Sequence, residues 1–76
     1  MEKRHCITRP ELTAAQTREV ARQEVAVQAL VDYDRRLAGQ PPEVLLPLLQ
    51  RVEILESGFV QDSDSYCIRI AGEVVP

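Results

Sequence analysis

This chain has 76 residues, of which 45% are hydrophobic and 28% charged, and its net charge at pH 7 is −3. That length limits it to one domain, and the composition is typical of a soluble globular protein rather than a disordered one. Nucleic-acid-binding domains usually have a basic face and a high pI, so a pI near 5.0 argues against that class. A core of this size rarely supplies more than about 3–5 kcal/mol, so small domains usually add a disulfide, a metal or a partner chain.

The N-terminal arm, residues 1–8, has no helical period and forms an arm or a short strand. A first helix is predicted over residues 9–38, where helix-forming residues dominate. Thr8 and Thr13 each open a capping-box motif, and either residue can be the N-cap. Gly39 is a suitable C′ residue, and the prolines that follow it forbid continuation of the helix.

The segment Val25–Val31 is the most unusual part of this helix, because apolar side chains cover about 240° of the helix circumference. A helix that packs on one neighbour needs an apolar stripe only a little wider than about 100°. One stripe is predicted to pack on a second helix: Ala26, Leu30, Tyr33 and Leu37. A second stripe is predicted to be covered by the C-terminal strand or by another chain: Val20, Val27 and Val31. The excess of apolar surface predicts self-association or a protein partner.

A second helix is predicted over residues 42–57. Its apolar face has helical spacing and consists of Leu45, Leu48, Leu49, Val52 and Leu55. Pro47 kinks this helix if the helix begins at Pro42, or lies harmlessly at its N-terminus if the regular helix begins near Leu46. The short connection between the two helices favours an antiparallel helical hairpin.

The C-terminal part, residues 59–75, changes to a period of two, which predicts a half-buried strand. The apolar positions are Tyr66, Ile68 and Ile70. The partner strand is either Phe59–Val60, across the turn Gln61–Ser65, or Glu73–Val75, across Ala71–Gly72. The predicted fold class is therefore α+β, an antiparallel two-helix hairpin with a small C-terminal β element that the N-terminal arm can join.

Two cysteines, Cys6 and Cys67, lie near opposite ends of the chain. No basic segment followed by an apolar run opens the chain, so we expect a cytoplasmic protein with two free thiols. A Cys6–Cys67 bridge is the open alternative. No apolar run approaches the roughly 20 residues that span a bilayer, so no membrane partner is expected.

The sequence contains no catalytic or metal-binding pattern. His5 and Cys6, with the distant Cys67, match no zinc spacing, and neighbours in a strand point to opposite faces. The acidic run Asp62–Ser65 lacks the glycine and the bidentate glutamate of a calcium loop. Because neither a nucleophile–base pair nor a Gly-rich phosphate loop occurs, we expect no enzyme activity, no metal and no cofactor.

These observations favour a non-catalytic interaction module, either a homodimeric adaptor or an inhibitor that docks on a larger macromolecular machine. Small acidic domains of this kind are common among the accessory proteins of phages and mobile elements. The candidate interface residues are Val20, Val27, Val31, Tyr66 and Ile68. The acidic second half of the chain suits a macromolecule with a basic surface. The candidate acidic surface consists of Glu53, Glu56, Asp62 and Asp64.

A small dimeric helix-turn-helix regulator is the alternative. Splitting the first helix in two would present Gln28, Arg35 and Arg36 to a DNA groove. No turn residue occurs where the tight turn between two such helices is needed. Asp32 and Asp34 would be repelled by the DNA phosphates. A nucleic-acid partner is therefore disfavoured.

Overall fold

The computed structural model describes residues 1–75. Its elements follow in the order β1 (Glu2–Thr8), α1 (Ala14–Tyr33), α2 (Pro42–Leu45), β2 (Leu49–Phe59) and β3 (Ser65–Val74). The three strands form one antiparallel sheet with the strand order β1-β3-β2. The predicted α+β class is confirmed, and the N-terminal arm joins the sheet as β1. Within residues 1–75, no helix has the length and apolar character needed to cross a membrane.

The start of α1 is fixed by the second of the two predicted capping boxes. The Thr13 hydroxyl accepts a hydrogen bond from the Gln16 N–H at 3.2 Å, and the Gln16 side-chain oxygen accepts one from the Thr13 N–H at 2.9 Å. The helix ends at Tyr33, before the predicted end at residue 38, because Asp34 adopts an extended conformation. A 3₁₀ turn at Arg35–Leu37 follows.

The second predicted helix is wrong over most of its length. Only Pro42–Leu45 is α-helical, a 3₁₀ turn that contains Pro47 follows, and β2 begins at Leu49. Proline cannot donate the backbone hydrogen bond that a continuing helix needs, and the β-branched Val52 and Ile54 favour a strand paired with β3. The predicted two-helix hairpin is therefore wrong. Most of the segment predicted as the second helix is β2, which forms a β-hairpin with β3.

β3 is the central strand, and its predicted alternation is confirmed. Three buried side chains lie on its helix-facing side: Tyr66, Ile68 and Ile70. Residues 60–64 connect β2 to β3, and Phe59 pairs with Tyr66. The predicted turn that follows Phe59–Val60 is therefore the one that forms. The alternative turn at Ala71–Gly72 does not form, because both residues lie inside β3.

The core lies between α1 and the helix-facing sides of β1 and β3. The buried side chains of α1 in this core are Ala21, Val25, Ala26 and Leu30. α1 also contacts α2 and the 3₁₀ turn that follows it, where Leu45 is fully buried. Because two parts of the same chain cover α1, its wide apolar arc gives no reason to require a second chain.

A disulfide joins Cys6 to Cys67, so the expectation of two free thiols is wrong. The two residues are direct partners in the β1–β3 ladder, on the side of the sheet away from α1. Their pairing depends on the sheet, since 61 positions separate them in the sequence. Disulfides persist mainly in oxidising compartments, so the cytoplasmic location stays a prediction without support from the fold.

Candidate protein-docking site

β2 is an edge strand whose hydrophobic side chains remain exposed. β3 pairs with one side of β2, and within residues 1–75 no strand pairs with the other side. Val52, Ile54 and Phe59 are 44%, 48% and 47% exposed. Neighbouring exposed hydrophobic residues on a free edge mark an interaction surface more often than scattered ones do. We call the residues Val52–Phe59, together with their unpaired backbone side, the β2 edge.

A groove of about 300 Å³ lies between α1 and β2. Its floor is aliphatic and consists of Ala26, Leu46, Leu49, Val52 and Ile54. Three polar side chains of α1 form its rim: Glu19, Arg22 and Gln23. The groove is open because α1 packs against β1 and β3 and leaves the helix-facing side of β2 largely uncovered. It offers room for one or two apolar side chains of a docked partner.

The hydrogen bonds of the hairpin identify the free backbone groups of β2. The Val60 N–H donates to the Ser65 carbonyl at 2.8 Å. In an antiparallel ladder, successive residues alternate between pointing both backbone groups at one neighbour and pointing them away. Gly58 therefore faces β3 in the same way as Val60. Ser57 and Phe59 direct their N–H and C=O groups towards the open side.

Two β-bulges interrupt the first part of β2, before the regular pairing that begins at Glu56. They lie between Gln50 and Glu53 and between Ile54 and Glu56. Arg51 lies in the first bulge with φ 55°, in the left-handed region that residues other than glycine rarely adopt. Bulges and charged side chains limit uncontrolled pairing of edge strands. The ladder with β3 is regular from Glu56 to the end of the strand.

The β2–β3 hairpin carries a concentrated acidic surface. Among residues 50–64, four side chains are acidic and one, Arg51, is basic. The four acids are exposed and are the predicted ones: Glu53, Glu56, Asp62 and Asp64. A guanidinium nitrogen of Arg51 lies 3.7 Å from a carboxylate oxygen of Glu73. Glu53 and the two aspartates have no salt-bridge partner within residues 1–75. The fold thus brings the predicted acidic residues onto one hairpin.

The face of the sheet away from α1 is held together by covalent and ionic contacts. The disulfide between Cys6 and Cys67 lies on this face. Arg69 pairs with Glu2 on β1 and with Glu56 on β2, the latter at 3.0 Å. Hydrogen bonds to Glu2 and then to Glu56 raise the pKa of Arg69 above its usual range. The guanidinium therefore links all three strands.

The predicted interface residues fall into two groups. Tyr66 and Ile68 are 3% and 2% exposed, so a partner cannot reach them in the folded chain. Val20, Val27 and Val31 are half-buried on α1, and the first two pack against the core. None of the five belongs to the β2 edge.

The β2 edge is not predictable from local sequence, because the segment 42–57 fits a helix. The signal that favours a strand is the alternation of apolar and polar residues at Val52, Glu53 and Ile54. This signal covers three positions only, whereas the leucines ahead of it have helical spacing. The structure follows the shorter, alternating pattern, because this segment is a strand.

The three residues of the DNA-reading alternative do not share one helix. Gln28 lies within α1, which runs without interruption from Ala14 to Tyr33, whereas Arg35 and Arg36 lie in the 3₁₀ turn beyond its end. The Arg36 guanidinium donates hydrogen bonds of 2.9–3.2 Å to the Asp34 carboxylate. These bonds are the main cause of a lowered pKa for Asp34. The continuous α1 contains no tight turn of the helix-turn-helix kind.

His5 lies on the helix-facing side of the sheet, whereas Cys6 of β1 and Cys67 of β3 lie on the opposite face. The strand pattern predicts this separation for the neighbours His5 and Cys6. The Nε2 atom of His5 is 3.2 Å from an oxygen of Glu24, and the Arg9 guanidinium donates to the other Glu24 oxygen at 3.0 Å. Among residues 1–75, no group of three or more His, Cys, Asp or Glu side chains could hold a metal ion.

The chain matches no family model, and comparisons with curated proteins and with solved structures find no match. Because a fold alone does not determine a function, the surface of the chain is what indicates one. Its most distinctive surface is the β2 edge with the adjoining groove.

Proposed function

We propose that this chain is a non-catalytic protein-interaction module, either a homodimeric adaptor or an inhibitor that docks on a larger macromolecular machine. Docking takes place through the β2 edge and the groove. The observation that carries the proposal is the exposure of Val52, Ile54 and Phe59 on a strand with a free backbone side. A partner that covers these side chains removes apolar surface from water, which stabilises the complex by roughly 25 cal/mol per Å².

The surroundings of the groove support contact with another protein rather than catalysis. The groove floor consists of aliphatic side chains, which suit an apolar surface and cannot transfer protons. The exposed acids of the hairpin attract a partner with a basic surface and orient its approach. The unpaired backbone side of β2 can fix the register of the partner through main-chain hydrogen bonds.

Capture experiments with matched surface variants test the proposal. Val52→Ser combined with Ile54→Ser removes apolar contacts of the β2 edge. Tyr33→Ser is the control, because Tyr33 is 65% exposed at the end of α1, outside this surface. A partner identified by mass spectrometry should be retained by the control variant and lost by the double variant.

Sedimentation of the purified chain at tens of micromolar determines whether the partner is a second copy. In that case the double variant should sediment as a monomer while the Tyr33→Ser variant stays dimeric. A wild-type chain that sediments as a monomer and captures no partner would contradict the proposal, as would a partner that both variants retain equally.

A further inference from the structure

We infer that the partner supplies an extended segment with alternating apolar and basic side chains, and that this segment pairs with the β2 edge as a fourth strand of the sheet. The inference rests on the proposed function and gives the chemistry of the partner. The segment belongs to a different protein and not to a second copy of this chain.

The backbone of β2 provides the first argument. Ser57 and Phe59 direct their N–H and C=O groups to the open side, two residues apart, which is the spacing that an added antiparallel strand uses. The stretch from Glu56 onward keeps a regular ladder with β3. It can therefore pair with a further strand without rearrangement, and main-chain hydrogen bonds supply affinity in this mode of recognition.

The two faces of β2 specify the side chains of the added strand. Ile54 and Phe59 lie on the helix-facing side, because they pair with buried residues of β3. Glu53 and Glu56 lie on the opposite side, where Glu56 also pairs with Arg69. Side chains on neighbouring strands meet on the same face. A strand beside β2 thus contacts apolar side chains on one face and carboxylates on the other, and alternation of apolar and basic residues satisfies both.

Charge argues against a second copy at this edge. A two-fold axis would place two β2 strands side by side, each with Glu53 and Glu56 on the same face. The only base on this strand is Arg51, which lies 3.7 Å from Glu73. Like charges on neighbouring strands destabilise a ladder, whereas a basic segment makes the same contacts favourable. The net charge of −3 also steers a basic segment towards the chain.

A peptide titration followed by amide NMR tests the inference. The probe is a peptide of about seven residues in which valine and lysine alternate, and the matched probe carries glutamate in place of lysine. We expect amide shifts centred on the β2 edge and the groove, and an affinity for the lysine peptide roughly tenfold or more above that for the glutamate peptide. The preference should shrink in about 1 M salt, because salt screens exposed charges.

Two variants at one position separate strand addition from other kinds of contact. Ser57→Pro removes an N–H that points to the open side and leaves the donors of the β2–β3 ladder in place, so peptide binding should be lost. Ser57→Ala keeps that N–H and should bind like the wild type. The amide spectrum of the remaining residues reports whether each variant folds. If Ser57→Pro does not fold, Glu53→Lys with Glu56→Lys replaces it and should reverse the preference between the two peptides.

Several results would overturn the inference. These are the absence of β2 shifts at about 1 mM peptide, equal affinity for both peptides, and full binding by a folded Ser57→Pro variant. A dimer that protects the β2 amides from hydrogen exchange would assign the edge to a second copy, which also overturns the inference but leaves the proposed function intact. The proposed function fails separately, when Val52→Ser with Ile54→Ser leaves partner capture unchanged.

Discussion

Cys6 and Cys67 lie opposite each other in the β1–β3 ladder and form a disulfide, although 61 positions separate them along the chain. The bond ties the N-terminal strand to the central strand, and α1 packs against both. The core of so small a domain rarely supplies more than about 3–5 kcal/mol. The disulfide is therefore expected to provide a large fraction of the net stability.

Reduction of the Cys6–Cys67 bond should lower the free energy of unfolding by about 2–4 kcal/mol, because the denatured chain regains the freedom of a long closed loop. Urea unfolding with and without reductant measures the change. A variant with serine at both positions should show the same loss and no further response to reductant. The prediction fails if the wild-type midpoint stays in place after mass spectrometry has shown both thiols to be free.

The elements with one strong local signal could be predicted from the sequence. The composition and the capping box at Thr13 predict α1, and alternation around Ile68 predicts β3. The segment from Pro42 to β2 could not be predicted in this way. Leu45 and Leu49 fit a helical spacing, whereas the pairing of β2 with β3 is a long-range contact that no local pattern contains. The disulfide also depends on a long-range contact, the β1–β3 pairing, so the sequence offers it only as an alternative to two free thiols.

The contrast between a buried and an exposed leucine tests the observed core. Leu30 is fully buried on α1, whereas Leu55 is 36% exposed on β2. Leu30→Ala should lower the free energy of unfolding by about 2–5 kcal/mol, since it removes buried methyl groups and leaves a cavity. Leu55→Ala should lower it by only about 1 kcal/mol, because the Leu55 side chain is partly exposed and its removal leaves no closed cavity. Equal losses in urea unfolding would mean that β2 packs against the core more closely than the structure indicates.

The candidate site was predictable in its charges and not in its apolar part. Glu53 and Asp64 are exposed for the ordinary reason that carboxylates stay hydrated, so their accessibility follows from residue type. Their position on one hairpin follows only from the fold. For apolar residues such as Val27 and Ile68, accessibility does not follow from residue type, because an apolar side chain fits a core and an interface equally well. Only packing within the chain shows that Ile68 is inaccessible.

Asp34 should make the stability of the chain depend on pH in the acid range. Hydrogen bonds from Arg36 lower the pKa of this carboxyl. The resulting stabilisation is fully present above the ordinary aspartate pKa of 3.8 and is lost as the pH falls through the lower folded value. Asp34→Asn should therefore be less stable than the wild type at neutral pH, and the difference should shrink towards pH 2. NMR titration of Asp34 in the Arg36→Gln variant should give a higher pKa than in the wild type, and an unchanged value would contradict the assigned cause.

Arg51 should be a strained position, because its φ of 55° lies in the left-handed region. A residue with a Cβ atom is destabilised there by about 1–2 kcal/mol, and a β-branched residue fits even less well. Arg51→Gly and Arg51→Val both remove the exposed contact with Glu73, which contributes little. The remaining difference sets the left-handed strain of valine against its higher strand propensity and the larger chain entropy of glycine. The glycine variant should unfold at a higher urea concentration than the valine variant. If the valine variant is the more stable of the two, the bulge does not keep this conformation in solution.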